Sequence, residues 1–449
     1  MFTLFPLKSF HRRRTFIRIL GLVLAWILFL EVLQLRQTFY LQQDDVDSWI
    51  GSDPCEGLEG LSDVFVVLKT GATEAFEKVP VHLSTTLRCV PHYDIFSDYK
   101  EQIAGHQVHD ALDGVNPDIV ASHPDFEYYR RLQQHGKDGF SAQEVGQWLQ
   151  AKNTNSGRDS PGWKLDKWKF LPLAEKALQL RPEAKWYAFV ETDTYVLWRN
   201  VLEWLLEFDE SKPQYLGMQM QIGDVVFAYG GAGFFISKPA LTKVVEHRRA
   251  HLKNYDEFTA AHWAGDCVLG KALADAGVPL FWSWPNLVNE QPSNMDFNAS
   301  FGNMYKKLWC HNAASYHHLS PADIDHFSAF ERRWNRMNPD VLMRHADVFR
   351  QYILPRIVPE HADWDNLSEH DHGFSNSLDD CRRICELEDD CVQFSRSGRT
   401  CKTSSVLRLG HERSETAVER VTSGWLMDRV YAFVEDMEST CTNEDWVLP

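Results

Sequence analysis

The run Trp186-Tyr187-Ala188-Phe189-Val190 puts apolar side chains on both faces of one short strand, then meets Glu191-Thr192-Asp193. A strand without a polar face must be covered on both sides, as in an α/β sheet flanked by helices. Val64-Phe65-Val66-Val67-Leu68 has the same character and stops at Thr70-Gly71. The stretch that follows, to Leu87, can hold a helix, and a further strand is expected near His92 to Phe96. From Asp166 to Leu180 the spacing of Trp168, Leu171, Leu173, Ala174, Ala177 and Leu178 is helical, as is the pattern from Val201 to Phe208. Val225 to Tyr229 reads as a strand that leads into Gly230-Gly231-Ala232-Gly233. Ser237-Lys238-Pro239 reads as a helix start, since proline is favoured in the first turn. This alternation predicts an α/β fold with a mostly parallel sheet over about residues 61–345. Residues 107–161 are polar and end in Asn153-Thr154-Asn155-Ser156-Gly157, which predicts an insertion with a mobile loop.

A chain of 449 residues exceeds one ordinary core, so two or three folded units are expected. The net charge of -17 argues against a nucleic-acid partner, which is usually bound by a basic face. It leaves room for a phosphate-bearing ligand if a metal lies between the two.

Near the N-terminus, Lys8, Arg12, Arg13, Arg14 and Arg18 precede an apolar stretch from Ile19 to Leu30, extended by Val32 and Leu33. Counted from Phe16, it just reaches the roughly 20 residues that a membrane-crossing helix needs. Basic residues ahead of it, with no such cluster after it, put the N-terminus in the cytosol. A cleaved signal peptide is the competing reading, but Leu35-Arg36-Gln37-Thr38-Phe39-Tyr40 offers no small-residue cleavage site. The expectation is a cytosolic tail at 1–15, a transmembrane signal anchor at 16–34 and a stem at 35–60. Asn298-Ala299-Ser300 and Asn366-Leu367-Ser368 are glycosylation sequons, consistent with a lumenal chain.

Residues 373–449 read as a separate unit after a linker at 346–372. Leu378 to Leu387 is expected to be a short helix with Cys381 and Cys385 on one face, and Cys391-Val392-Gln393-Phe394 and Cys401-Lys402 look like strand edges. Four cysteines could hold zinc, but Cys-x-x-Cys spacing is absent and the compartment is oxidising. Disulfides among Cys381, Cys385, Cys391 and Cys401 are favoured, with their connectivity open.

The chemistry centres on Val190-Glu191-Thr192-Asp193-Thr194-Tyr195-Val196. A strand that runs into an acid-x-acid turn brings two carboxylates to the carboxyl edge of the sheet, where open α/β sheets bind ligands. Such oxygens suit Mn²⁺ or Mg²⁺ bridging to a diphosphate. On the residues alone, Asp193 serves equally well as a turn cap before the next helix. Asp266 likewise reads as a helix N-terminal acid.

Glu191-Thr192-Asp193-Thr194-Tyr195-Val196, Gly230-Gly231-Ala232-Gly233-Phe234 and Ser237-Lys238-Pro239-Ala240-Leu241 together resemble the fringe and core 1 β1,3-galactosyltransferase family, glycosyltransferase family 31, of the inverting GT-A class. Other segments fall in the family's order. These are Val66-Val67-Leu68-Lys69-Thr70-Gly71, Thr86-Leu87-Arg88-Cys89, Lys167-Trp168-Lys169, Asp266-Cys267-Val268-Leu269-Gly270, and Cys310 with Ser315-Tyr316-His317. The resemblance covers about residues 61–319. Glu191 stands where the family usually has Asp, and Gly265 where it has Glu.

The resemblance implies a GT-A nucleotide-sugar-binding, Rossmann-like domain over 61–345. It makes Glu191, Asp193 and His317 metal ligands, with His318 adjoining, and Asp266 the general base. Thr70, Arg88, Lys169, Glu191, Thr192 and Asp193 would bind the nucleotide-sugar. Gly230, Gly231, Ala232 and Gly233 would let backbone approach a sugar closely. Trp282 and Trp284 are candidates to stack on that sugar, although core packing is the commoner role of tryptophan. Residues 373–449 resemble a PAN/apple module.

The implied activity is Mn²⁺-dependent (or Mg²⁺-dependent) transfer of a sugar, galactose from UDP-galactose in β1,3 linkage, onto a glycan of a glycoprotein or glycolipid. Two other readings stay open: a fringe-like N-acetylglucosaminyltransferase, and an inactive transferase fold that binds carbohydrate. Expected partners are a UDP-sugar, the acceptor glycan, a membrane and a second copy of the chain. The expected location is the Golgi or ER membrane, single-pass type II, with a lumenal catalytic domain.

Overall fold

The computed structural model describes residues 55–152, 160–301, 306–413, 420–441 and 446–448. The expected tail, anchor and most of the stem, and the Asn153–Gly157 loop, lie outside the described residues. Among the described residues no helix is long and apolar enough to cross a membrane.

The central sheet draws on strands β1 (Val64–Lys69), β2 (Tyr93–Ser97), β3 (Glu101–Ile103), β4 (His106–Asp110) and β5 (Trp186–Glu191). After the short strand β6 (Tyr195–Val196) come β7 (Tyr215–Gly217), the hairpin of β8 (Gln219–Ile222) and β9 (Val225–Ala228), then β10 (Phe234–Ser237) and β11 (Phe281–Trp282). The eight strands of the sheet lie in the order β11-β7-β10-β5-β1-β2-β4-β3. Its β5-β1-β2-β4 centre is parallel, as expected. The flanks are not: β10 runs antiparallel to both β5 and β7, and β3 to β4. The sheet is therefore mixed. The chain leaves β7, makes the β8–β9 hairpin and re-enters at once as β10, and so short a return reverses direction.

Strand alternation explains the double-sided apolar runs. Phe65 and Val67 of β1 share one core with Tyr187 and Phe189 of β5, and with Phe170, Leu171 and Ala174 of the helix Pro161–Leu180. Val64, Val66 and Leu68 share the other with Trp186, Ala188 and Val190, and with Val79 and Trp204 from two further helices. Each such large side chain buried contributes about 1.5–3 kcal/mol, so β1 and β5 anchor both layers.

The insertion is more ordered than its polarity suggests. It holds the helices Pro117–Ser122, Glu127–His135 and Ala142–Lys152. Phe126, Tyr128, Tyr129 and Leu132 form a small core against Leu165 and Trp168. Tyr128 also packs on Phe140 and Trp148, so the insertion's aromatic residues cover one another as well as the long helix.

The C-terminal part is built on a five-stranded antiparallel sheet whose strands are Glu360–Ala362, Val421–Trp425, Gln393–Ser397, Thr400–Ser404 and His370–Phe374. It begins inside the stretch expected to be a linker. The helix Leu378–Leu387 forms as expected, and Cys381–Cys401 and Cys385–Cys391 staple it to the sheet and its entry loop. A third disulfide, Cys310–Cys441, joins this part to the first. The helix Met427–Ser439 buries Val430 and Met437 in the same core as Trp309 and Phe349. Hence this part is not a separate unit: Gly57–Pro449 is one packed body. Of Met1–Glu56, only the last two residues are described.

Candidate active site

The parallel register of β1 and β5 pairs Lys69 with Glu191 at the carboxyl edge of the sheet. Lys69 Nζ lies 3.0 Å from Glu191 Oε1 and 2.6 Å from Asp166 Oδ1, on the helix Pro161–Leu180. Burial works against the Lys69 charge, but Asp166 and Glu191 outweigh it and hold the ammonium above its ordinary pKa. Past β5, the turn is locked from three sides. Thr192 Oγ1 donates to Thr70 Oγ1 at 3.1 Å, Thr194 Oγ1 donates to Gly231 O at 2.6 Å, and the buried His82 ring bonds Thr192 O at 3.0 Å. Burial drops His82 to about 4, so at neutral pH it is an uncharged brace.

Asp193, at the tip of the turn, meets Lys78 and His317. Lys78 Nζ is 3.3 Å from Oδ2, and His317 Nε2 is 3.2 Å from Oδ1. Burial disfavours the Asp193 carboxylate, yet His317 and Lys78 together hold its pKa well below the usual range. His317 arrives by register. Tyr316 pairs antiparallel with Tyr195 of β6, and Leu319 N donates to Asp193 O at 3.0 Å. Between them His318 takes φ of 64°, a left-handed conformation that turns its ring onto that of His317, centroids 3.8 Å apart.

Asp193, His317 and His318 each offer one ligand atom, all within 4.8 Å of one another. One carboxylate oxygen and two imidazole nitrogens could together hold a divalent metal ion. Glu191, expected as a ligand, is absent from this group. Its carboxylate pairs with Lys69 at 3.0 Å. His318, expected only to adjoin the site, is in the group.

Asp266 opens the helix Gly265–Asp275. Its Oδ2 accepts from Gly230 N at 2.9 Å and its Oδ1 from Cys267 N at 2.8 Å. Burial lifts its carboxyl to about 6, with the two backbone donors and Lys69 opposing and nearby Glu191 assisting. Gly265 admits no side chain: a Cβ there would lie 2.6 Å from Lys167 Cα and clash with the Phe170 ring.

The other expected residues divide. Thr70 and Thr192 are buried and bonded to each other beneath the edge. Lys169, 2% exposed, donates to Thr70 O and pairs with Asp98, so it braces the first loop from inside. Arg88 is exposed on the turn that leads into β2. Gly230 to Gly233 are buried and pack on Glu191, Asp266 and His317. Trp282 is 48% exposed, Trp284 is half-buried, and both lie against Phe301. The Asn298 side chain is exposed. Asn366 is not: it is fully buried and its Nδ2 donates to Phe394 O and Gly424 O. A glycan on that nitrogen is incompatible with this fold. Sequence reasoning passed over Lys78 and Asp166. Only the position of Asp166 just before Lys167-Trp168-Lys169 hinted at it.

The fold is thus an α/β enzyme scaffold with an acidic, histidine-flanked site at the carboxyl edge of its sheet. Residues 59–285, just over half the chain, match the model of the Fringe-like family, and the protein belongs to this family of glycosyltransferases.

Proposed function

We propose that the protein is a metal-dependent inverting glycosyltransferase of GT-A type that moves galactose from UDP-galactose, in β1,3 linkage, onto a glycan. One observation carries the reading. Consecutive glycines bind the two halves of the chemistry, Gly230 N holding the Asp266 carboxylate and Gly231 abutting His317. An acceptor hydroxyl beside Asp266 and a diphosphate beside Asp193 and His317 would therefore meet over one short backbone segment.

Asp193, His317 and His318 would hold a divalent cation, which would supply Lewis-acid stabilisation to a departing diphosphate. The chain does the rest. Asp266, with a pKa of about 6, is ionised at neutral pH and takes the proton of the attacking hydroxyl. The backbone N–H groups of Gly230 and Cys267 fix its orientation, and Lys78 adds positive charge where the leaving group's negative charge builds. The choice of galactose and of β1,3 linkage rests on the resemblance of the motifs. The basic residues ahead of the apolar stretch at 16–34 support a type II Golgi or ER protein with a lumenal site. The helix stapled by two disulfides supports a PAN/apple-like C-terminal module.

The test is UDP release from UDP-galactose and from UDP-N-acetylglucosamine with Mn²⁺, with and without a glycan acceptor. Acceptor-stimulated turnover of UDP-galactose is expected. Turnover of UDP-N-acetylglucosamine alone reassigns the donor, and turnover of neither leaves a carbohydrate-binding protein.

A further inference from the structure

Beside the candidate active site lies a cavity of about 460 Å³, within the range of about 300–1,000 Å³ typical of ligand sites. One wall comes from the segment that leads to His317, with Trp284, Asn289, Glu290 and Asn294. The other comes from loops that join strands of the C-terminal part, with Leu367 and Arg408. The walls are tied together where Gly410 N donates to Ser293 O at 2.7 Å, and farther off by Cys310–Cys441. Leu367 has φ of 61°, a strained conformation for leucine, and the buried Asn366 next to it holds that turn in place.

The lining is a mixture of one aromatic surface, two amides, carboxylates and a guanidinium. Sites that bind small polar ligands combine an apolar or aromatic wall with a few convergent polar groups in this way. One lining residue also touches the candidate active site. Glu290 O accepts from His317 N at 3.3 Å, and the Glu290 carboxyl, raised by burial, feels both His317 and Arg408. Trp282 and Phe301, 48% and 41% exposed, extend the aromatic surface past Trp284.

We propose that this cleft is the acceptor subsite, binding a neutral saccharide of the acceptor glycan between Trp284 and Arg408, so that the C-terminal part contributes to the substrate site. The assignment rests on the transferase reading above. It gives the C-terminal part a role that a structural cap lacks: it closes the cleft, and Arg408 sets which sugars enter.

The test is saturation-transfer NMR on the full chain with a pool of neutral oligosaccharides released from glycoproteins, alongside calorimetric titration of UDP with Mn²⁺. Arg408→Ala removes a polar contact and Ala299→Trp fills the cavity from its lining. Both are expected to weaken saccharide binding about tenfold and to leave UDP affinity unchanged, which also reports that each variant is folded. Unchanged saccharide binding in both variants, or none in the parent chain, overturns the proposal. Saccharide binding that responds to both variants in a chain that does not bind UDP would retain the site and sink the transferase reading instead.

Discussion

Gly231 and His317 share one small space: a Cβ on Gly231 would lie 2.5 Å from the ring Nε2 of His317. The glycine is therefore required by the histidine. Gly231→Ala is expected to push His317 away from Asp193, abolish Mn²⁺ binding and cost about 1–3 kcal/mol of stability. Mn²⁺ titration and thermal melting of the variant check both halves. A variant that binds Mn²⁺ like the parent would mean His317 is not a ligand.

Asp266 sets the expected pH dependence. Its carboxyl is raised to about 6 by burial, and the base form is the ionised one. So kcat/KM should be full above about 6 and fall as pH drops through that value, by about tenfold per pH unit. Asp266→Asn should keep UDP affinity, lower turnover by about 10²–10⁴-fold and remove this acid limb. A pH–rate series on parent and variant is the measurement, and an unchanged acid limb in the variant assigns it to another group.

Restoring the family's usual acid at position 265 should harm the protein. Gly265→Glu forces a side chain against Lys167 Cα and Phe170. The expected cost is about 2–3 kcal/mol, seen as a lower Tm, with activity reduced and not enhanced. A more active and equally stable variant would show that Gly265 marks a weakened site.

Glycan occupancy should follow burial. Peptide mapping of secreted protein is expected to find a glycan on Asn298 and none on Asn366. Asn366→Ala should cost about 1–3 kcal/mol, because it strands the carbonyls of Phe394 and Gly424. A fully occupied Asn366 in active protein contradicts the C-terminal fold described above.

What could be read from the sequence followed from local chemistry. The β1 and β5 runs announce themselves because five contiguous apolar side chains have only a doubly covered sheet to occupy. The helix Leu378–Leu387 is legible because Cys381 and Cys385 are one helical turn apart. Long-range register was not legible. Lys69 opposite Glu191, the origin of their ion pair, depends on how two strands align across more than a hundred intervening residues. The two-residue pairing of β6 with Ser315–Tyr316 delivers the histidines and is too short to leave a pattern. Cys441 found its partner 131 residues away, a pairing that spacing alone cannot give. The helices of the polar insertion left little pattern because they rest on a few aromatic side chains.

The most direct test of the central claim is calorimetric titration of UDP into the purified chain, with and without Mn²⁺, for the parent and Asp193→Ala. The account predicts Mn²⁺-dependent UDP binding in the parent and its loss in the variant. UDP binding that ignores both Mn²⁺ and Asp193 would contradict the metal site, and no UDP binding under any condition would contradict the glycosyltransferase mechanism itself.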